Sequence, residues 1–321
     1  MFMIRASAQI AISSGRRRVE VIHAVGTVAL ASAVIGSLGR RPIIVTFPGL
    51  PEETVRSGDP QRVVKTRARA VLRVLSVFPR FGTVPTGQAV KPVVELSGGR
   101  LARKVLVIPN PVDLKRFSPS GRTKSEGYFP EILVVGGLRS RKGVWTLIEG
   151  LPLILRSYPK ARVTLIGTGS FAPALRDLAH GLGVDASIRW TGEVSDDDLI
   201  AYYECSDLVV VPSQAGGEAF GYVVAEAMCM ERPVIASATP GPSELIKEAD
   251  CGILFAPGDS SELASVIVLL AGDEGKRRVF GENGRRYAER HFDETRVVAE
   301  FERLYRVSIG DATPSGSGVK R

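Results

Sequence analysis

In the stretch "GGEAFGYVVAEAM" (216–228) two carboxylates, Glu218 and Glu226, stand eight positions apart. Between them lie an aromatic residue, a glycine and a short apolar run. An ionised carboxylate is acceptor-only, so such acids suit the hydroxyl groups of a sugar, as beside a nucleotide sugar. Gly216, Gly217 and Gly221 make a turn, and Phe220 to Val224 begin a helix whose first N–H groups are free for an anion. Glu218 precedes that helix and Glu226 falls in its second turn. For an isolated pair, an acid at a helix start plus a solvated helix glutamate is the usual reading.

A second candidate is "VVGGLRSRKG" (134–143), which follows an apolar run and opens a helix. Gly136 and Gly137 let backbone approach a phosphate, the helix start adds partial positive charge, and Arg141 and Lys142 add full charges. The bland alternative is a tight turn with exposed bases. The order GK[ST] is missing, so this is no Walker A loop. "LIGTGS" (165–170), with Gly167, is a further glycine-rich strand end and weak by itself. "VSDDDL" (194–199) has the look of a metal-binding acidic triplet. Ser195 with Asp198 three positions later is better read as a capping box, and acids in a first turn suit the helix dipole, so no metal is expected there. His23, His180 and His291 are scattered, without zinc-ligand spacing.

The elements that must position these residues follow from hydrophobic patterning. From about residue 131, β-branched runs alternate with helical stretches: 131–137, 161–169, 187–192, 207–213, 232–238 and 251–257. Near-continuous apolar runs indicate strands buried on both faces, hence a parallel, doubly wound α/β sheet with ligands at the carboxyl ends of its strands. The earlier part has the same grammar in fewer units. Strands are expected at 19–25, 41–47 and 104–110, with a short one near 81–84, and helices at 60–77 and 87–98. The polar stretch 118–127 reads as a linker. The expected division is 1–120, then 121–295, then a C-terminal helix at 296–309 packing back toward the first domain, and a disordered tail at 310–321.

Charge divides along the same line. Residues 1–120 carry 19 Lys+Arg against 6 Asp+Glu, whereas 121–321 carry 23 against 28. A basic first part points to an anionic partner or to a solvated arginine-rich surface. Its arginines are not interleaved with aromatics, which argues against nucleic acid. Three cysteines without a CxxC pair, Cys205, Cys229 and Cys251, fit a reducing compartment rather than a disulfide framework. Residues 21–39 hold no charged side chain, but three glycines, a histidine and three hydroxyls make a buried strand and small-residue helix the better reading than a membrane span. With no convincing signal peptide at the start, the chain reads as cytoplasmic.

Several of these motifs occur together, and in this order they resemble the retaining glycosyltransferases of family 4, over about 19–307 and most strongly over 104–257. Glu218 and Glu226 match that family's E-x7-E motif. "VIPNPVDLKRFSP" (107–119), "RPVIASATPGPSELI" (232–246, with Glu244 at the acid) and "GILFAPGD" (252–259) match its other segments. The resemblance implies a GT-B fold, two doubly wound Rossmann-like domains facing a cleft. It implies a nucleotide sugar in the second domain, with Glu226 on the ribose hydroxyls. Glu218 and the backbone at Phe220, Gly221, Tyr222 and Val223 would contact donor sugar and diphosphate, with Gly136, Gly137 and Gly167 beside them. Arg141 and Lys142 would counter charge on the leaving diphosphate, without a cofactor or divalent metal. His23 would lie on the acceptor side. Ala219 replaces a family glycine, Gly137 a family arginine and Pro48 a family histidine. The family's opening strand and glycine-rich loop have no counterpart before His23, so the first domain is expected to be incomplete.

The expected function is therefore retaining sugar transfer from a nucleoside-diphosphate sugar to a glycan or lipid-linked acceptor. The basic part would meet an anionic membrane surface in a peripheral, cytoplasmic location. The alternative is a nucleotide-sugar-binding protein with little or no transferase activity; a 2-epimerase of the same fold ranks last.

Overall fold

The computed structural model describes residues 19–37, 41–48, 73–121, 127–214 and 220–310. The chain forms two compact units. Of the described residues, one is built on those up to Asn110 together with Phe220 and the stretch from Thr295, the other on those from Pro111 to Gln214 and from Gly221 to Glu294.

The first unit holds four parallel strands in sequence order: β1 (Ile22–Val25), β2 (Ile43–Thr46), β3 (Pro79–Val84) and β4 (Val105–Val107). Between β1 and β2 runs α1 (Thr27–Ser37), and between β3 and β4 runs α2 (Val90–Leu96), entered through a 3-10 turn at Gly87–Ala89. The uncharged window 21–39 thus becomes a strand and a helix. Leu30, Ala33 and Val34 of α1 are buried against Ile22, Ala24, Ile43 and Val45. Among the described residues, no helix is long and apolar enough to cross a membrane. Most of the helix expected at 60–77 lies outside the described residues, as does the tail from 311.

The second unit holds six parallel strands: β5 (Glu131–Val135), β6 (Arg162–Ile166), β7 (Ile188–Gly192), β8 (Leu208–Val211), β9 (Val234–Ser237) and β10 (Gly252–Phe255). Their spatial order is β10-β9-β8-β5-β6-β7. The chain starts in the middle, winds out to β7, then returns across the sheet to β8. That reversal puts a topological switch point between β5 and β8, where open α/β sheets bind ligands. Leu208, Val209, Val210, Val234, Ile235 and Ala236 are fully buried, as strands covered on both faces must be.

The helices of this unit are α3 (Val144–Ser157), α4 (Ala172–Gly181), α5 (Asp196–Cys205), α6 (Tyr222–Cys229), α7 (Pro240–Ala249), α8 (Ser260–Gly272) and α9 (Glu274–His291). On α3, the apolar stripe Leu147, Ile148, Leu151 and Ile154 packs on Ile132, Val134, Val163 and Leu165. Each such side chain is worth about 2 kcal/mol when removed from water. Ser195 caps α5 as its sequence requires: its hydroxyl oxygen accepts from the Asp198 amide at 3.2 Å.

Residues 111–120 fold onto this unit, so the division falls at Asn110 rather than at the 120 expected from the polar stretch. The Val112 amide donates to the Phe292 carbonyl at 3.0 Å, and the Arg285 guanidinium donates to the Phe117 carbonyl at 2.9 Å. The last helix, α10 (Glu294–Ile309), packs on the first unit, with Val297 and Leu304 buried against Ile44 and Ile108.

Candidate functional site

At the end of β5 the chain turns through Gly136, whose amide donates to the Ile166 carbonyl at 2.9 Å. The end of β6 turns through Gly167, whose amide donates to the Gly192 carbonyl at 2.7 Å. Gly167 has a positive φ of 124°, and a β-carbon there would overlap the Gly136 carbonyl. The two glycine-rich strand ends interlock, and Leu138 closes the clasp by donating to the Thr168 carbonyl at 2.8 Å. Gly167 therefore shapes the neighbouring turn. Gly137 is exposed, with room for a side chain beside it.

The chain then makes a single 3-10 turn, Ser140–Lys142, and enters α3 through Gly143 at φ 63°. A β-carbon on Gly143 would overlap the Pro212 carbonyl, so only glycine permits this approach. The Arg141 side chain is exposed, whereas Lys142 is half-buried. Lys142 lines one recess with Gly136, Val211, Ser213 and Val223. That recess lies at the carboxyl ends of β5 and β8, the switch point. Arg139 is exposed like Arg141, and neither side chain has a hydrogen-bond or ionic partner among the described residues.

After β8 the chain reaches Gln214, whose amide donates to the Arg141 carbonyl at 2.8 Å. Residues 215–219, and with them Glu218, lie outside the described residues. Phe220 is buried and Gly221 takes a left-handed φ of 92° before α6. Tyr222 is 52% exposed and Val223 lines the recess. The start of α6 reaches the same recess through Val223, bringing the partial positive charge of a helix N-terminus.

Glu226 lies half-buried in the second turn of α6. Its Oε2 accepts from the hydroxyl of Tyr203 on α5 at 2.7 Å. Burial pushes the Glu226 pKa up, against the opposing effects of the Tyr203 hydrogen bond and the Arg116 charge. Burial, and then the Glu226 charge, hold the Tyr203 phenol well above its usual range.

His23 stands on β1 of the first unit. Its Nε2 is 2.6 Å from Thr46 Oγ1, its Nδ1 is 2.8 Å from the hydroxyl of Tyr305 on α10, and its ring packs beside Phe301. Both nitrogens join the sheet of the first unit to its last helix. Sequence reasoning also passed over Gly143, Gln214 and Tyr203. The glycine following "SRK" was a usable signal for the first. For the others nothing local exists, because their partners are remote in the chain.

The model describing glycosyl transferases group 1 matches residues 121–287. Curated relatives include an uncharacterized glycosyltransferase of Methanocaldococcus jannaschii, 31% identical over 178 residues, covering 56% of this chain and 45% of that protein. Another is the GDP-mannose-dependent alpha-(1-6)-phosphatidylinositol monomannoside mannosyltransferase of Mycobacterium tuberculosis, 29% identical over 192 residues, covering 56% of this chain and 50% of that protein. The chain thus spans about half the length of these relatives. Among solved structures, Anabaena HepE in complex with UDP superposes with a TM-score of 0.80 at 23% identity, covering 94% of this chain and 82% of that one. Sucrose-phosphate synthase from Thermosynechococcus elongatus gives 0.78 at 23%, covering 96% and 78%. These likenesses establish the fold as GT-B.

Proposed function

The chain belongs to the group 1 glycosyl transferases, and on that premise we propose that it moves a sugar from a nucleoside-diphosphate sugar to a glycan or lipid-linked acceptor, with retention at the anomeric carbon. One observation carries the reading: Lys142, the Gly136 turn and the start of α6 converge on one recess at the switch point between β5 and β8. The chemistry of this recess suits a diphosphate, since a cation stands beside a helix N-terminus. HepE, which shares the fold, is solved with UDP.

In this reading the diphosphate lies against Lys142 and the N–H groups of Tyr222 and Val223, with Arg141 at its outer side. Glu226 accepts from the ribose hydroxyls, and Glu218 contacts the donor sugar. The acceptor hydroxyl attacks the anomeric carbon on the face from which the diphosphate departs. The bond from that carbon to the diphosphate oxygen breaks, and the departing oxygen takes the acceptor's proton. Negative charge grows on the diphosphate as the bond breaks, so fixed positive groups stabilise the transition state more than the ground state. The basic balance of residues 1–120 supports an acceptor met at an anionic lipid surface.

The test is release of nucleoside diphosphate by the purified full chain, supplied with UDP- and GDP-sugars and a lipid and glycan extract. Release that falls sharply in Lys142→Ala and Glu218→Ala supports transfer. Equal release by all three proteins overturns it. Tight donor binding without transfer to any acceptor favours a donor-binding protein instead.

A further inference from the structure

The Glu226 carboxylate is held by a partner that the donor reading does not use. We propose that Tyr203 is the positioning residue of the nucleotide-ribose contact: its hydroxyl fixes one oxygen of Glu226 so that the other is kept for the ribose. The inference rests on the proposed role of Glu226 toward the donor.

Tyr203 is 0% exposed. A buried phenol must place its hydroxyl proton on an acceptor, and here that acceptor is Glu226 Oε2 at 2.7 Å. The other oxygen, Oε1, has no hydrogen-bond partner among the described residues. The ring cannot swing away. The edge of Phe117 meets it at 6.2 Å and 82°, and Phe117 is itself tied down through its carbonyl by Arg285.

The type of partner matters as much as its position. A neutral phenol donates one hydrogen bond and leaves the carboxylate its full charge and its second oxygen. A guanidinium in that place would take both oxygens and neutralise the group. The nearby guanidinium, Arg116, is instead turned to Asp196 on α5 at 2.6 Å. Its charge favours the ionised form of Glu226, against burial, without occupying the carboxylate. Among the described residues, Tyr222 and Cys229 on α6 also feel the carboxylate; burial first, and the Glu226 charge with it, raises their pKa values.

The experiment measures binding of UDP and GDP, each beside its 2′-deoxy analogue, to the full chain across pH 4.5–8. Tyr203→Phe keeps the ring and removes only the hydroxyl. It should weaken the ribose form about five- to tenfold, the scale of one hydrogen bond. The 2′-deoxy form should be little affected, and the acid limb of binding should move to higher pH. Arg116→Gln should move the same limb upward while leaving the ribose-to-deoxy ratio at neutral pH unchanged. Equal weakening of both forms by Tyr203→Phe, or an unmoved acid limb, overturns the positioning role. Glu226→Ala tests the premise separately. If it keeps the wild-type ribose-to-deoxy ratio, the ribose contact fails, whatever Tyr203 does.

Discussion

The main-chain carbonyl of Arg141 accepts a hydrogen bond from the amide of Gln214 at 2.8 Å, which fastens the turn after β5 to the turn after β8. Immediately beside this bond, Gly143 lies against the Pro212 carbonyl with φ 63°. The two loops of the recess approach this closely because one residue has no β-carbon. Gly143→Ala must push them apart and adopt a left-handed backbone as well. It should cost about 2 kcal/mol or more of stability and abolish UDP binding, read by thermal unfolding and calorimetry. Gly137→Ala, where space is open, is the matched control and should be tolerated.

Lys142 and Arg141 are neighbours with unequal access to the recess. Lys142 lines it, and Arg141 is exposed. Removing one positioned donor from a developing anion costs about a hundredfold to a thousandfold in turnover. Lys142→Ala should lower kcat on that scale, and Arg141→Ala should cost clearly less. Steady-state kinetics at saturating donor separate the two.

Glu226 gives stability a pH dependence of defined sign. Burial raises its pKa in the folded protein above the ordinary 4.5. The folded state therefore holds the proton more tightly than the unfolded chain, and this group's contribution to stability falls as pH rises through that window. Glu226→Gln removes the charge and keeps the shape. It should raise the unfolding midpoint at pH 7, with the gain shrinking toward pH 4, while weakening nucleotide binding. Differential scanning calorimetry across that range checks both the sign and the trend.

His23 has the opposite sign. Burial lowers its pKa below the ordinary 6.5, so the folded state prefers the neutral ring. Its contribution is complete above that value and is lost as pH falls toward the lowered one. His23→Ala should cost about 1–3 kcal/mol through its two hydrogen bonds and its packing on Phe301. It should also flatten the pH dependence between 7.5 and 5 and leave UDP binding unchanged. Lowered transfer to acceptor with unchanged stability and UDP binding would give His23 a role at the acceptor.

The basic first part makes a claim about surfaces. If residues 1–120 meet anionic lipid, the chain should sediment with phosphatidylserine vesicles and not with phosphatidylcholine alone. Binding should fall steeply as salt rises from 50 to 300 mM, because each surface cation contributes about 1 kcal/mol that salt screens. Salt-independent binding, or none, would leave that charge as an ordinary solvated surface.

The sequence by itself determined what depends on neighbours along the chain. The apolar runs at 207–213 and 232–238 had to be strands buried on both faces, and Leu208–Val211 and Val234–Ser237 are. Ser195 with Asp198 had to be a helix cap, and it is. The glycine-rich ends at Gly136 and Gly167 were legible because strand, glycine and helix start are local signals.

Tertiary structure decided what depends on approach in space. Strand order set the switch point between β5 and β8, which no periodicity encodes, because periodicity reports burial and not which strand lies alongside. The polar stretch at 118–127 looked like a boundary, yet residues 111–120 pack on the second unit through Val112, Phe117 and Arg285. His23 looked available until Thr46 and Tyr305, the latter 282 positions away, took both its nitrogens. Glu226 was visible as an acid on a helix, but the phenol that fixes it comes from a different helix. A side chain's chemistry is written in its own residue type, whereas the atoms that direct that chemistry are supplied by whatever the fold brings against it.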